Sequence, residues 1–283
     1  MNGFFLINKE KNMSSHDVIY LIKKKLNLNK IGHTGILDPM AEGLLIVLIN
    51  KATKLAFLFE NLDKTYQGSI LFNKNFDTLD VTGKIIETKK NILSIEEVEK
   101  SFLFFLKKKY LQVPPMYSAI KIKGKKMYNL ARKNIQIDIP PRKVHIKNLK
   151  ITSSFENDLI DFETKVSKGT YIRSLARDIA TQMNTYGALK KLTRTKIGSY
   201  NLKKAQNIHS VDFKNLIDVK ILFKKTKKII LNDYLIKLVK NGVLLDERQI
   251  LTKKSFIVLD QNKNWIAYYK PIQKNKYYPK YFF

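Results

Sequence analysis

Cysteine is absent from the 283 residues, tryptophan occurs once, and only six residues are arginine. Without thiols the chain has no disulfide and no thiolate metal site, and a reducing cytosol is its expected home. Long apolar runs are also missing. The longest, Leu44 to Ile49, falls far short of the roughly 20 residues that a bilayer-spanning helix needs. The start, "MNGFFLINKEK", holds only four apolar residues in a row, which argues against a secretory leader. The expectation is a cytoplasmic protein with no membrane association. Acids are scarce: 24 Asp and Glu face 53 Lys and Arg, for a net charge of +29. That balance favours a polyanionic partner, above all nucleic acid. Part of the excess has a plainer source. Nearly all of it is lysine, in a chain also rich in Asn and Ile, which is how an AT-rich genome biases any protein. Charge alone does not point to RNA.

Hydrophobic residues make up 44% of the chain, enough for a sizeable core. The length suits one large domain and a small one. "FFLI" reads as a strand, and "GLLIVLI" as a strand buried on both faces. "SSHDVIYLIKKKL" reads as a helix capped by Ser14 or Ser15. Ser94 and Glu97 form a capping-box pattern. "KGTYIRSLARDIATQM" reads as a turn entering a helix, with Thr170 as its cap. Strands and helices do not alternate as βαβ units. We therefore expect an α+β fold, with a mainly antiparallel central sheet flanked by helices over residues 1–227. A small β-rich domain should fill 228–283. It opens with the helix "NDYLIKLVKNG", which Gly242 would stop.

Four stretches hold candidate chemistry. In "GHTGILDPMAEGLL" (32–45), Pro39 keeps Asp38 out of the helical region, and Gly32 and Gly35 permit tight bends around His33. Asp38 is then either a solvated turn acid or a nucleophile held in a fixed direction. His33 lacks partners at metal-ligand spacing, so a metal site is not expected. Tyr66 in "LDKTY" is either strand packing or a face on which a base stacks. In "SKGTYIR", Tyr171 and Arg173 share a face if the segment is extended. Lysine bias does not explain an arginine, and a guanidinium pairs with a carboxylate better than an ammonium does.

Together, "GHTGILDPMAEGLL", "DKTY", "PPMYSAIKIKGKKMYNLAR", "SKGTYIRSLARDI" and "LTRTKIG" resemble, in order and spacing, the tRNA pseudouridine-55 synthases of the TruB family. The resemblance spans about Phe4 to Ser199. "INKEKNMSS" is similar to the family's opening motif, with Glu10 and Asn12 where Pro and Gly are usual. Glu42, where Thr or Ser is common, is expected to point away from Asp38. The tail is similar to a PUA-like RNA-binding module in length and β character.

The resemblance implies a pseudouridine synthase fold and an isomerase that turns uridine into pseudouridine at position 55 of the tRNA T-loop. No cofactor and no metal are implied. Asp38 would be the nucleophile, with Tyr66 and Arg173 as its catalytic partners. Tyr66, Tyr171 and Leu192 would hold the flipped uracil, and His33 would fill the space it leaves. The basic stretch at about 117–143 resembles a thumb-like insertion. Lys9, Lys123, Lys125, Lys126 and Arg132 are the expected phosphate contacts. The partner would be tRNA, gripped at its T-arm and acceptor end, by a monomer that needs no protein partner. Two alternatives stay open: a non-catalytic protein that binds and remodels the tRNA elbow, and a pseudouridine synthase with another RNA target.

Overall fold

The computed structural model describes residues 1–283 apart from Lys123, Asn134, Gln136 and Lys274, and of Lys126 and Gln273 only the backbone is described. The apolar run at its centre becomes the strand Glu42–Ile49, buried from Gly43 onward. Both its edges are occupied. Gly3–Lys9 pairs with it antiparallel along one side, and Thr193 and Arg194 of Gly187–Ile197 pair with it in parallel on the other. The sheet continues through Lys64–Phe72, Leu159–Val166, Arg142–Ile151 and Lys109–Gln112, to a total of eleven strands. Nearly all of these pairings are antiparallel, as expected of the α+β class.

Gly187–Ile197 is the seam of this sheet. It joins the 42–49 half to the 64–72 half. At the junction the backbones nearly touch. A Cβ on Gly43 would lie 2.5 Å from the Arg194 carbonyl oxygen, and Gly43 has φ +108°, so only glycine fits there.

Helix starts follow local chemistry. Ser14 caps Ser15–Lys25 and exchanges hydrogen bonds with Asp17, while Lys23, Lys24 and Lys25 sit at the negative end of the helix dipole. Ser94 and Glu97 do the same for Ile95–Phe105. The helix Ile172–Gln182 differs from the expectation. Its N-cap is Tyr171, with no side-chain cap. Thr170 donates to the Ser167 carbonyl instead, and the Gln112 side chain accepts the Tyr171 N–H. Arg173 is thus a first-turn helical residue, not one of an extended pair with Tyr171.

A second sheet forms at the C-terminal end, in the order Lys227–Ile230, Phe256–Leu259, Trp265–Gln273, Lys276–Phe282, Leu245–Asp246. Side chains of the strand Phe256–Leu259 alternate between two cores. Phe256 and Val258 pack with Ile236 and Val239 of the helix Asp233–Lys240. Ile257 and Leu259 turn the other way and join Phe4, Leu44, Ile46 and Leu48 in a common core. Gly242 follows that helix with φ +77°, the expected stop. No helix among the described residues is long and apolar enough to cross a membrane.

Candidate active site

Asp38 and Arg173 meet although 135 positions separate them in the sequence. Arg173 Nε lies 2.9 Å from Asp38 Oδ2. The Nε–H is not aimed along that line, so the contact is an ion pair and not a hydrogen bond. The arginine side chain is only 6% exposed, whereas that of Asp38 is 32% exposed. Nη1 donates to the Thr78 carbonyl and Nη2 to the Tyr117 carbonyl, each at 2.8 Å. Nη1 also lies 3.5 Å from Oδ2 of the buried Asp80. One cation therefore faces two carboxylates. Asp80 compensates the buried guanidinium, and Asp38 is the more accessible of the two acids.

Asp80 was not among the sequence candidates. In "FDTLDVTG" it reads as a turn acid, and it does serve that turn: Thr78 Oγ1 and the Thr82 N–H donate to its Oδ1 at 3.0 Å. The residue does both jobs with different oxygens.

The loop that carries Asp38 is tied down on every side. Ser15 accepts the Leu37 N–H at 2.9 Å and donates back to the Leu37 carbonyl at 3.2 Å. Asn12 donates its N–H to the Pro39 carbonyl at 2.8 Å. Asn12 has φ +61°, a left-handed conformation that asparagine tolerates. It can therefore stand where the family's opening motif has glycine. Arg194, 2% exposed, donates to the carbonyls of Gly35, Ile36 and Leu44. Gly32 and Gly35 have no positive φ. The bend comes from these clamps and not from left-handed glycines.

The remaining candidates divide. Tyr66 and Leu192 are buried in one cluster with Leu37 and Ile172, the neighbours of Asp38 and Arg173. Tyr171 packs against Ile120, Met127, Leu130 and Ile139 of the insertion. Burial raises its phenol above the usual range, and the Asp38 charge adds to the rise. His33 lies on the short strand Ile31–His33, its ring 5.7 Å from that of His16. Burial pushes it below the usual imidazole range, and the charges of His16 and Arg194 add to this, so it is neutral at pH 7. Glu42 accepts from the Thr193 hydroxyl at 3.1 Å.

Lys9 is a correction. It is fully buried, and its ammonium donates to the carbonyls of Glu10 and Met13. Burial pushes it down to about 8 against the attraction of Asp38. It braces the opening motif and has nothing to offer a phosphate. Lys125 and Arg132 are exposed. Lys123 lies outside the described residues, as does the side chain of Lys126.

The family described as TruB family pseudouridylate synthase (N terminal domain) matches residues 23–172. A tRNA pseudouridine synthase B from Onion yellows phytoplasma (strain OY-M) is 60% identical over the full length of both chains. This chain belongs to the TruB family. A relative of the same name from Acholeplasma laidlawii (strain PG-8A) is 50% identical, again over the whole of both chains. Among solved structures, a chain from an H/ACA RNP bound to a substrate RNA containing 2'-deoxyuridine shares the fold, with TM-score 0.67 and 18% identity. The match covers 96% of this chain and 78% of that one. A chain from a Cbf5-Nop10-Gar1 complex is as similar, at TM-score 0.67 and 19% identity. Membership makes the chain a pseudouridine synthase and so an isomerase.

Proposed function

We propose that the protein isomerises uridine to pseudouridine at position 55 in the T-loop of tRNA, with Asp38 as nucleophile. One observation carries this reading: a partly exposed carboxylate held at 2.9 Å from a buried guanidinium whose own charge a second, buried acid balances. Electrostatics fixed in advance costs no reorganisation when the reaction begins. The carboxylate attacks the ribose at C1′ or the uracil ring, the N-glycosidic bond breaks, and the base turns. C5 then bonds to C1′, and the C5 proton leaves as N1 gains one. Tyr66 stacks on the extruded base, while Leu192 and Tyr171 close its pocket. A T-loop uridine is stacked, so it must be flipped out, at a cost of a few kcal/mol. Neutral His33 fills the gap without bringing a charge among the bases. Lys125 and Arg132 hold phosphates of the T-arm, and the C-terminal β-rich unit serves as a PUA-like contact for the acceptor end. A purely binding role needs no buried arginine behind an acid, and for that reason we favour the enzyme.

Asp38→Asn tests this reading. The substitution keeps the shape and removes the nucleophilic charge. Tritium release from 5-labelled uridine in a T-arm hairpin should vanish, while RNA affinity stays within about tenfold of the parent. Normal release would reject Asp38 as the attacking group.

A further inference from the structure

The single tryptophan belongs to a different site. A groove of about 390 Å³ opens between the turn Val219–Phe223 and the C-terminal sheet, floored by Ile217, Ile221 and Trp265. Lys220, Lys224 and Lys228 rim it. The Nζ atoms of Lys220 and Lys228 lie 5.7 Å and 5.4 Å from the indole centroid, within cation–π range. Phe283 buttresses the indole edge-on at 5.0 Å. Ile221 is 42% exposed, an apolar surface left uncovered at the groove. The one acid that lines it, Asp218, caps the turn, its carboxylate accepting the Lys220 N–H. The adjoining stretch, residues 224–228, reads Lys-Lys-Thr-Lys-Lys. Lysine bias accounts for lysines anywhere. It does not account for the sole indole at the point where they converge.

We propose that this groove binds one unpaired nucleotide of the RNA substrate. The base lies on Trp265 and Ile221, and the phosphate sits among Lys220, Lys224 and Lys228. An acidic peptide would use the ammonium groups and leave the indole face unmatched. A nucleotide satisfies both, and stacking on an aromatic ring accepts any base. The proposal rests on the RNA-acting reading above for the kind of ligand, but its measurement needs no turnover.

Trp265 is its own probe, because all indole fluorescence of the full chain comes from it. A 5′-phosphorylated single-stranded tetraribonucleotide should quench it saturably, and adenosine 5′-monophosphate more weakly. The triple variant K220A/K224A/K228A should bind the oligonucleotide about tenfold or more weakly, with a salt slope smaller by about 2. Asp38→Asn protein should quench like the parent. In turnover assays the triple variant should show a raised KM and an unchanged kcat on full-length tRNA. An unchanged KM on the T-arm hairpin would locate the nucleotide outside the T-arm, and an equal rise would locate it inside; either supports the site. Silence of the tryptophan toward RNA at low salt overturns the proposal. Equal quenching by polyglutamate, or a triple variant that acts on full-length tRNA as the parent does, overturns it too. Loss of turnover in Asp38→Asn beside a silent tryptophan would reject the groove alone and leave the catalytic reading standing.

Discussion

Two segments converge on Arg173, and they are built in opposite ways. The 34–41 loop is clamped by Ser15, Asn12 and Arg194, through backbone atoms of Gly35, Ile36, Leu37 and Pro39. Among the described residues, the 117–143 insertion has a hydrophobic cluster with four buried members, Ile120, Met127, Leu130 and Ile139. Its strands Lys121–Ile122 and Lys125–Lys126 are two residues each. Arg173 touches both segments: the loop through Asp38, and the root of the insertion through the Tyr117 carbonyl. The proposed nucleophile is fixed before substrate arrives. The segment proposed to follow an RNA surface is lightly anchored, where opening costs little.

The sharpest way to break this contrast is Arg173→Lys, which removes the group common to both sides. A lysine keeps the charge but cannot serve Asp38, Asp80, Thr78 and Tyr117 together. We expect kcat to fall about a hundredfold or more, the scale on which small misplacements act. Single-turnover rates near those of the parent would reduce Arg173 to a structural cation. Next comes Ser15→Ala. It leaves the buried Leu37 N–H without its acceptor, at a cost of about 1–3 kcal/mol. Denaturant midpoints should record that loss, with turnover down roughly tenfold while RNA affinity holds. An active variant of unchanged stability would mean that the loop does not depend on its clamps. The smallest effect belongs to the insertion. In K121A/K125A/R132A we expect an unchanged kcat and melting temperature, a raised KM, and a slope of log K against log salt smaller by about 2 to 3. A fall in kcat would show that the insertion is part of the chemistry.

Contacts written by neighbouring residues were legible in the sequence. The N-cap at Ser14 or Ser15, the capping box at Ser94 and the stop at Gly242 follow from residue types close together in the chain; that Ser14 also forms a box with Asp17 emerged only from the structure. Arg173 stood out for another reason, the rarity of arginine among so many lysines, but its pairing with Asp38 was legible only through the resemblance to the TruB family. Asp80, Ser15 and Arg194 were not legible as parts of the site. Each acts across 22 to 159 positions, and Ser15 and Arg194 act on backbone atoms that every residue possesses, so no side-chain pattern announces the partner. Lys9 misled for a similar reason. A lysine in a basic chain reads as surface charge, and only the three-dimensional closure of the opening motif shows that it is enclosed. The seam strand Gly187–Ile197 was read only as the motif "LTRTKIG", because alternating Lys and Thr hide its central place in the sheet.

The core shared by the two sheets has a further consequence. Ile257, Leu259, Tyr268 and Tyr281 interlock with Phe4, Leu44 and Leu48, so the C-terminal module is docked through a common apolar core. Whatever it touches is held at a set span from Asp38. If that unit contacts RNA as proposed, the molecule acts as a caliper: an RNA is selected by whether its folded length bridges the jaws, as well as by the letters around the target base.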